Sequence, residues 1–204
     1  MKNLFTILTL LFILCSTSTN YAGDSSLLGK KHFSTNFSLA NSDGVDNNTN
    51  IFSIQGNFPI QKNIDISLAG SYSWYEDEIL GFDLKANTNT IISNIIYHFS
   101  TESILTPYVG AGIGYISIDV EVGSSSDSES RFLYDGLVGI QIEPSNKSFV
   151  NLSYAVMVID GDSSGSISSD LGYWFTDKFA LDLGLGYNAD DEITTYGISG
   201  NFLF

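Results

Sequence analysis

The chain has one cysteine, three prolines, two histidines and eight basic residues in 204, and each shortage closes off a class of protein. A single thiol, Cys15, makes no internal disulfide, and cleavage of a leader after it would leave the mature protein with none. Stability must then come from hydrogen bonding and packing. Eight Lys and Arg against 23 Asp and Glu give a net charge of -15, which argues against nucleic acid as a partner, because a phosphate-binding surface needs clustered cations. Only 15% of residues are charged against a usual quarter or so, while 43% are hydrophobic and 13% aromatic. Helix-forming runs of Ala, Glu, Lys and Leu are missing. No apolar run reaches the roughly 20 residues that a membrane helix needs. What is abundant is Phe (14), Tyr (11) and Gly (19), with plentiful Ser, Asn and Thr, a composition that suits strands in partly apolar surroundings.

The amino end reads as an address. Lys2 precedes an apolar run over 4–15, and a polar stretch then leads to Asn20-Tyr21-Ala22, a short site that suits a signal peptidase. A signal peptide over 1–22 and a single domain over 23–204 are therefore expected. Acylation of Cys15 is not expected, because Leu14 stands where lipoprotein signals resemble Gly, Ala or Ser.

From residue 30 onward the chain alternates with a period of two, the mark of strands with one apolar face. Ten segments emerge, over 30–39, 52–58, 64–74, 82–99, from 107 onward, 131–143, 148–159, 166–175, 179–188 and 196–204. The ninth is among the cleanest, with Phe179, Leu181, Leu183, Leu185 and Tyr187 against Ala180, Asp182, Gly184, Gly186 and Asn188. The fourth is ambiguous in phase: Leu84, Ala86 and Thr88 put even positions outward, Ile91, Ile95, Tyr97 and Phe99 odd ones, and a bulge near Thr90 would reconcile them. The stretches 41–50, 76–81 and 123–129 read as loops, the last two acidic.

Two stretches carry a family resemblance. The last segment places Tyr196, Ile198, Phe202 and Phe204 on one face and ends on Phe, and resembles the closing strand of bacterial outer-membrane β-barrels, the signal that the barrel-assembly machinery reads. Residues 94–99, a turn, and Pro107-Tyr108-Val109-Gly110-Ala111-Gly112-Ile113-Gly114-Tyr115 resemble the opacity-like and outer-membrane-protein-A-like small barrels. The glycines of that run do not have dinucleotide-site spacing, and no helix follows them; they read as relief for close packing at the barrel wall. The resemblance implies an all-β, single-domain antiparallel transmembrane β-barrel in the outer membrane, with outer-membrane lipid, lipopolysaccharide and the assembly machinery as partners. Ten strands are predicted here, where the family usually has eight, and eight is the alternative. Larger relatives carry a peptidoglycan-binding domain that this chain does not show, so a cell-wall anchoring role is unsupported.

The loops fit that topology. Turns after even-numbered segments are short and hold Lys62, Lys147 and Lys178, whereas those after odd-numbered segments hold Asp43, Glu76, Asp77, Asp127, Asp160 and Asp191. Two aromatic girdles are expected, one near the periplasm with Phe33, Phe58, Tyr97, Phe99, Tyr108, Tyr173, Phe175, Phe179, Phe202 and Phe204, the other with Trp74, Phe82, Tyr134, Tyr187 and Tyr196. Inward positions are mostly Ser, Asn, Gly and Ala, with Asp65, Asp135, Asp170 and Asp182 as lumen carboxylates and Lys85 or Arg131 as the cations to pair them.

Candidate chemistry is sparse. His32-Phe33-Ser34 and His98-Phe99-Ser100 superficially resemble the His-x-Ser of outer-membrane lipid A deacylases, but they sit at the wrong end of their strands, so interfacial His is the preferred reading. Omptin proteases also have ten strands, yet they use an outer-rim His, and no outer loop holds one here. Residues 160–167 resemble the calcium loop D-x-D-x-S-G-x-I, which nominates Asp160, Asp162 and Ser164 as ligands. Leu171 stands where that loop has Glu, so a plain hairpin turn is preferred, with calcium at the acidic outer loops kept as a secondary expectation and no other cofactor. The functional reading is a structural or surface-interaction barrel with acidic outer loops; the alternative is a small cation-preferring pore, and a lipid-modifying enzyme is a distant third.

Overall fold

The computed structural model describes residues 28–204 apart from 43–46, 80–81, 100–103 and 146. The expected leader, Cys15 and Asp43 lie outside those residues. Ten strands follow in order: β1 (His32–Ser42), β2 (Thr49–Gln61), β3 (Ile64–Ile79), β4 (Phe82–His98) and β5 (Leu105–Val122), then β6 (Ser125–Ser145), β7 (Ser148–Ile159), β8 (Asp162–Thr176), β9 (Phe179–Asn188) and β10 (Ile193–Leu203). Each pairs antiparallel with its chain neighbours, and β10 closes on β1 from His32↔Leu203 to Ser42↔Ile193. The sheet is a closed barrel with ten strands, not eight. Among the described residues no helix is long and apolar enough to cross a membrane, which says nothing of strands.

Period two fixes the two faces. Along β9, Leu183 and Leu185 are exposed on the outside while Asp182 and Asn188 are buried inside. The outside carries the large apolar side chains, with Ile113, Leu183, Ile91 and Ile167 each more than 60% exposed. An apolar wall of this kind suits hydrocarbon rather than water. Rings meet along its lower rim, Tyr173 edge-on to Phe175, Phe175 tilted against Phe179 and Phe179 against Phe202, and Tyr97 meets Phe99 edge-on at 5.0 Å. All three prolines, Pro59, Pro107 and Pro144, sit near the strand ends at that same rim, where an absent N–H costs least. Two of the three register shifts fall beside them, between Pro59 and Gln61 and between Ile142 and Ser145.

Three sequence expectations are corrected. No bulge interrupts β4: it runs in unbroken register with β3 and β5, and even positions point inward from Leu84 to His98, Ala86 and Thr88 included. Within the stretches 76–81 and 123–129, residues 76–79 and 125–129 are strand, because they continue the ladders of β3–β4 and β5–β6. Tyr108 faces the lumen and is 2% exposed, so it is no part of the girdle.

Strand lengths divide the molecule. β9 has 10 residues, about what a tilted transmembrane strand needs, whereas β4, β5 and β6 have 17, 18 and 21. The surplus projects from the end opposite the termini. Pairing of β2 with β3 stops at Asn50↔Trp74, and pairing of β6 with β7 starts at Leu133↔Ile159. Beyond those points β3 to β6 form a four-stranded wall on one side of the rim.

Candidate functional site: a filled lumen beneath a one-sided wall

The lumen is filled in three layers. At the terminal end the lead-in to β1 folds back into the mouth. Gly29, at φ 72, directs its amide to Asp65 Oδ2 at 2.8 Å, and Asn57 Nδ2 donates to the same oxygen at 3.0 Å. That positive φ is one that L side chains rarely adopt, which explains a glycine there. His98 Nε2 lies 3.8 Å from Asp65 Oδ1, and His32 Nδ1 is 3.0 Å from the Lys30 carbonyl. Leu28 packs upward onto Ile96, Tyr108, Leu137 and Ala155.

The middle layer is a set of amide-to-carboxylate bonds. Tyr108 donates its hydroxyl to Asn151 Oδ1 at 3.0 Å, and Asn151 Nδ2 donates to Asp170 Oδ2 at 3.0 Å. Ser34 donates to Asn201 Oδ1 and Asn201 Nδ2 to Asp182 Oδ2, both at 2.6 Å. Each of these carboxyl groups thus accepts from a side-chain amide, and hydrogen bonds are strong at the low dielectric of a filled interior. A cavity of about 10 Å³ between Asn36, Ser168, Asp170 and Thr195 holds at most one water. Glycines make the space for this filling. A Cβ at Gly112 would lie 1.8 Å from Asn94 Oδ1, and one at Gly172 would lie 1.8 Å from the Phe149 ring.

The layer toward the wall is apolar. Ile51, Leu84, Ile116, Leu133, Met157, Ile159 and Ile193 form one buried cluster across the barrel. Beside its Ser, Asn, Gly and Ala, the inward set therefore holds a block of large apolar side chains. It closes the lumen with hydrocarbon as a soluble core does.

The candidate residues fall as follows. Asp65, Asp135, Asp170 and Asp182 are inward and buried. Lys85 is a correction: with β4 in single phase it points outward and is exposed, in the wall and away from the lumen. Arg131 sits at the wall's base, 2.6 Å from Glu129 and 3.3 Å from Asp160, and serves none of the lumen carboxylates. Asp160 and Gly161 are the central residues of a tight hairpin turn, both at positive φ, closed by Ile159↔Asp162. Asp162 and Ser164 already belong to β8, and Ser164 donates to Asp191 Oδ2 at 3.0 Å and accepts from Asn188 Nδ2 at 2.6 Å. Among the described residues no group of three or more His, Cys, Asp or Glu side chains is placed to hold a metal ion. Half-burial raises the Asp191 carboxyl pKa, and the neighbouring Asp190 charge adds to this against the Ser164 and Asn188 bonds. His32 and Ser34 are both buried, Ser34 with its hydroxyl given to Asn201; Ser100 lies outside the described residues. Tyr196, Ile198, Phe202 and Phe204 all face outward on the closing edge.

Asn57, Asn151 and Asn201, the groups that hold the carboxylates, were not singled out from sequence. The readable signal was their inward parity beside Asp on the adjoining strand, most directly in the register pair Asn151↔Asp170.

Residues 7–175 match the outer membrane protein beta-barrel domain family. No curated protein sequence matches the chain. Among solved structures, the translocator domain of the autotransporter NalP from Neisseria meningitidis is 8% identical, with 96% of this chain and 97% of that one covered at a TM-score of 0.53. An outer-membrane channel from Pseudomonas putida F1 is 9% identical, with 87% and 96% covered at 0.51. The Neisserial surface protein A, NspA, is 13% identical, with 85% and 96% covered at 0.46. At such identities the likeness shows the fold alone.

Proposed function

Because the chain belongs to the outer membrane protein β-barrel family, we propose that it works as an integral outer-membrane barrel with a structural or surface-interaction role, its acidic hairpins meeting the medium above a lumen closed to ions. The observation that carries this reading is the exclusion of solvent from the inward side chains at every level. Asp65, Asn151, Asn201, Leu133 and Ile193 span the height of the barrel, and each is 0% exposed. A water-filled pore leaves such positions wet. The interaction role is supported by the wall. Its β6 edge, 125–132, exposes backbone next to Asp127 and Glu129, whereas Asn47 Nδ2 donates to the Glu76 carbonyl and to Asp77 at the β3 edge. Charges on an open edge discourage indiscriminate strand pairing while leaving it able to meet a chosen partner.

In this reading both ends of the chain face the periplasm, after removal of the leader over 1–22, and the Tyr196, Ile198, Phe202 and Phe204 face is what the barrel-assembly machinery engages. The outward apolar wall meets lipid, and the acidic rim meets lipopolysaccharide. A non-enzymatic role is supported by the burial of His32 and Ser34.

The test is single-channel conductance of refolded protein in a planar bilayer under a salt gradient. A quiet bilayer from folded protein is the expected result. Discrete cation-selective steps, altered by neutralising Asp135 or Asp182, would establish the pore instead.

A further inference from the structure

Two depressions meet at the terminal end of the barrel, and their chemistries differ. The first is a cavity of about 350 Å³ lined by Lys30, Lys147, Trp174, Phe175 and Thr176, with Asp177 and Leu203 completing it. Lys30 Nζ stands 5.1 Å from the centre of the Trp174 ring, which holds the ammonium at the cavity wall. The second is an apolar groove of about 430 Å³ on the lipid-facing wall, lined by Leu171, Tyr173, Leu181, Leu183 and Ile198 among others. Phe175 lines both, so the groove and the basic cavity border one ring.

The surroundings share this polarity. Lys30, Lys31, Lys62, Lys147 and Lys178 lie at the terminal end, whereas Glu76, Asp77, Asp127, Glu129, Asp160, Asp190 and Asp191 lie at the other. Lys31 Nζ lies 4.5 Å from the Phe204 ring centre and 5.8 Å from that of Phe58, both rings of the girdle. Cations over girdle aromatics sit at the depth of lipid phosphates.

We propose that the joined groove and cavity form a seat for one phospholipid of the periplasmic leaflet. An acyl chain lies along Leu171, Leu181 and Ile198 and turns past Phe175, and the phosphodiester is held by Lys30 and Lys147 with Thr176 as a hydroxyl donor. Asp177 faces the polar substituent beyond the phosphate. The inference rests on the outer-membrane placement of the barrel and not on the closed lumen, so the conductance result does not decide it.

The test is native mass spectrometry of the whole refolded barrel, delipidated in detergent and titrated with 1-palmitoyl-2-oleoyl phosphatidylglycerol, with the diacylglycerol of the same chains, or with inorganic phosphate. One tightly retained phosphatidylglycerol per barrel is expected, with little retention of the diacylglycerol. The double variant Lys30→Gln/Lys147→Gln should lower that retention about tenfold, two lysine contacts to phosphate being lost. Heat-shifted gel mobility checks that the variant is folded, and Lys62→Gln, at the same rim but outside the cavity, should retain lipid as the parent does. Equal retention by the parent and the double variant would overturn the proposal. So would equal binding of the diacylglycerol, or inorganic phosphate displacing the lipid as well as an equal concentration of phosphatidylglycerol does.

Discussion

The amide of Gly29 and the carboxylate of Asp65 lie 36 positions apart in the chain and meet at 2.8 Å, stitching the lead-in into the barrel mouth. Asp65 is wholly buried and also accepts from Asn57, so Asp65→Ala removes the acceptor those two donors share and leaves Asn57 Nδ2 only the Lys30 carbonyl. A cost of about 1–3 kcal/mol is expected, read as a lower urea midpoint of the refolded barrel. The lead-in should also come loose, and trypsin should cut after Lys30 and Lys31 faster than in the parent. Unchanged cleavage would mean that the packing of Leu28 and the bonds to the Lys30 and Lys31 carbonyls hold the segment without Asp65.

Gly112 faces Asn94 across the β4–β5 ladder, and a methyl group there would fall on the amide oxygen. Gly112→Ala should cost about 1–3 kcal/mol by overpacking, seen as a lower folded fraction by heat-shifted mobility. Adding Asn94→Gly should recover much of the loss, because it removes the atom struck. Failure of the double variant to recover would show that the nearby Ser93 carbonyl sets the limit instead.

The strands, their closure and most of the girdle were legible because period two survives in a lipid-facing barrel. Which face is inside was harder. Leu84 and Ala86 are apolar yet inward, because the wall side of the lumen is packed with hydrocarbon; polarity therefore misassigned β4, and Lys85 with it. The hairpin tip near Ser125 reads as loop in the sequence because its side chains are polar and small. Its ladder is held by backbone bonds, which composition does not report. Tyr108 was misplaced for the same reason as Leu84, an aromatic at a strand end being taken for a girdle residue when its hydroxyl has an interior acceptor in Asn151.

The turn between β9 and β10 carries a pH dependence. Partial burial raises the Asp191 carboxyl pKa, so the folded protein holds this proton to a higher pH than the unfolded chain does. The sign follows: stability is greatest below the ordinary carboxylate range and is lost as pH rises through it to the raised folded value. Asp191→Asn keeps an oxygen for Ser164 and removes the charge beside Asp190. Urea midpoints between about pH 3 and pH 7 should fall less with rising pH in the variant than in the parent. Parallel curves would assign the dependence to other carboxylates.

The tip of the wall and the barrel should separate by mutation, since on β6 the buried cluster ends at Leu133. Ile118 and Leu133 are its last buried members on β5 and β6, whereas Tyr75, Leu84 and Ala86 carry it further along β3 and β4, and the residues above Leu133 are exposed on both faces of β6. Removing 119–128 and joining Ile118 to Glu129, themselves a register pair, by a two-residue Asn-Gly turn keeps that boundary and a favourable hairpin. The shortened protein should fold in lipid with an unchanged heat-shifted mobility. Leu133→Asp, only four residues below the new turn, places a charge inside the cluster and should abolish folding or cost several kcal/mol, about 3 or more. If the shortened hairpin failed to fold while Leu133→Asp succeeded, the wall would be part of the folding core and not a surface free to take a partner.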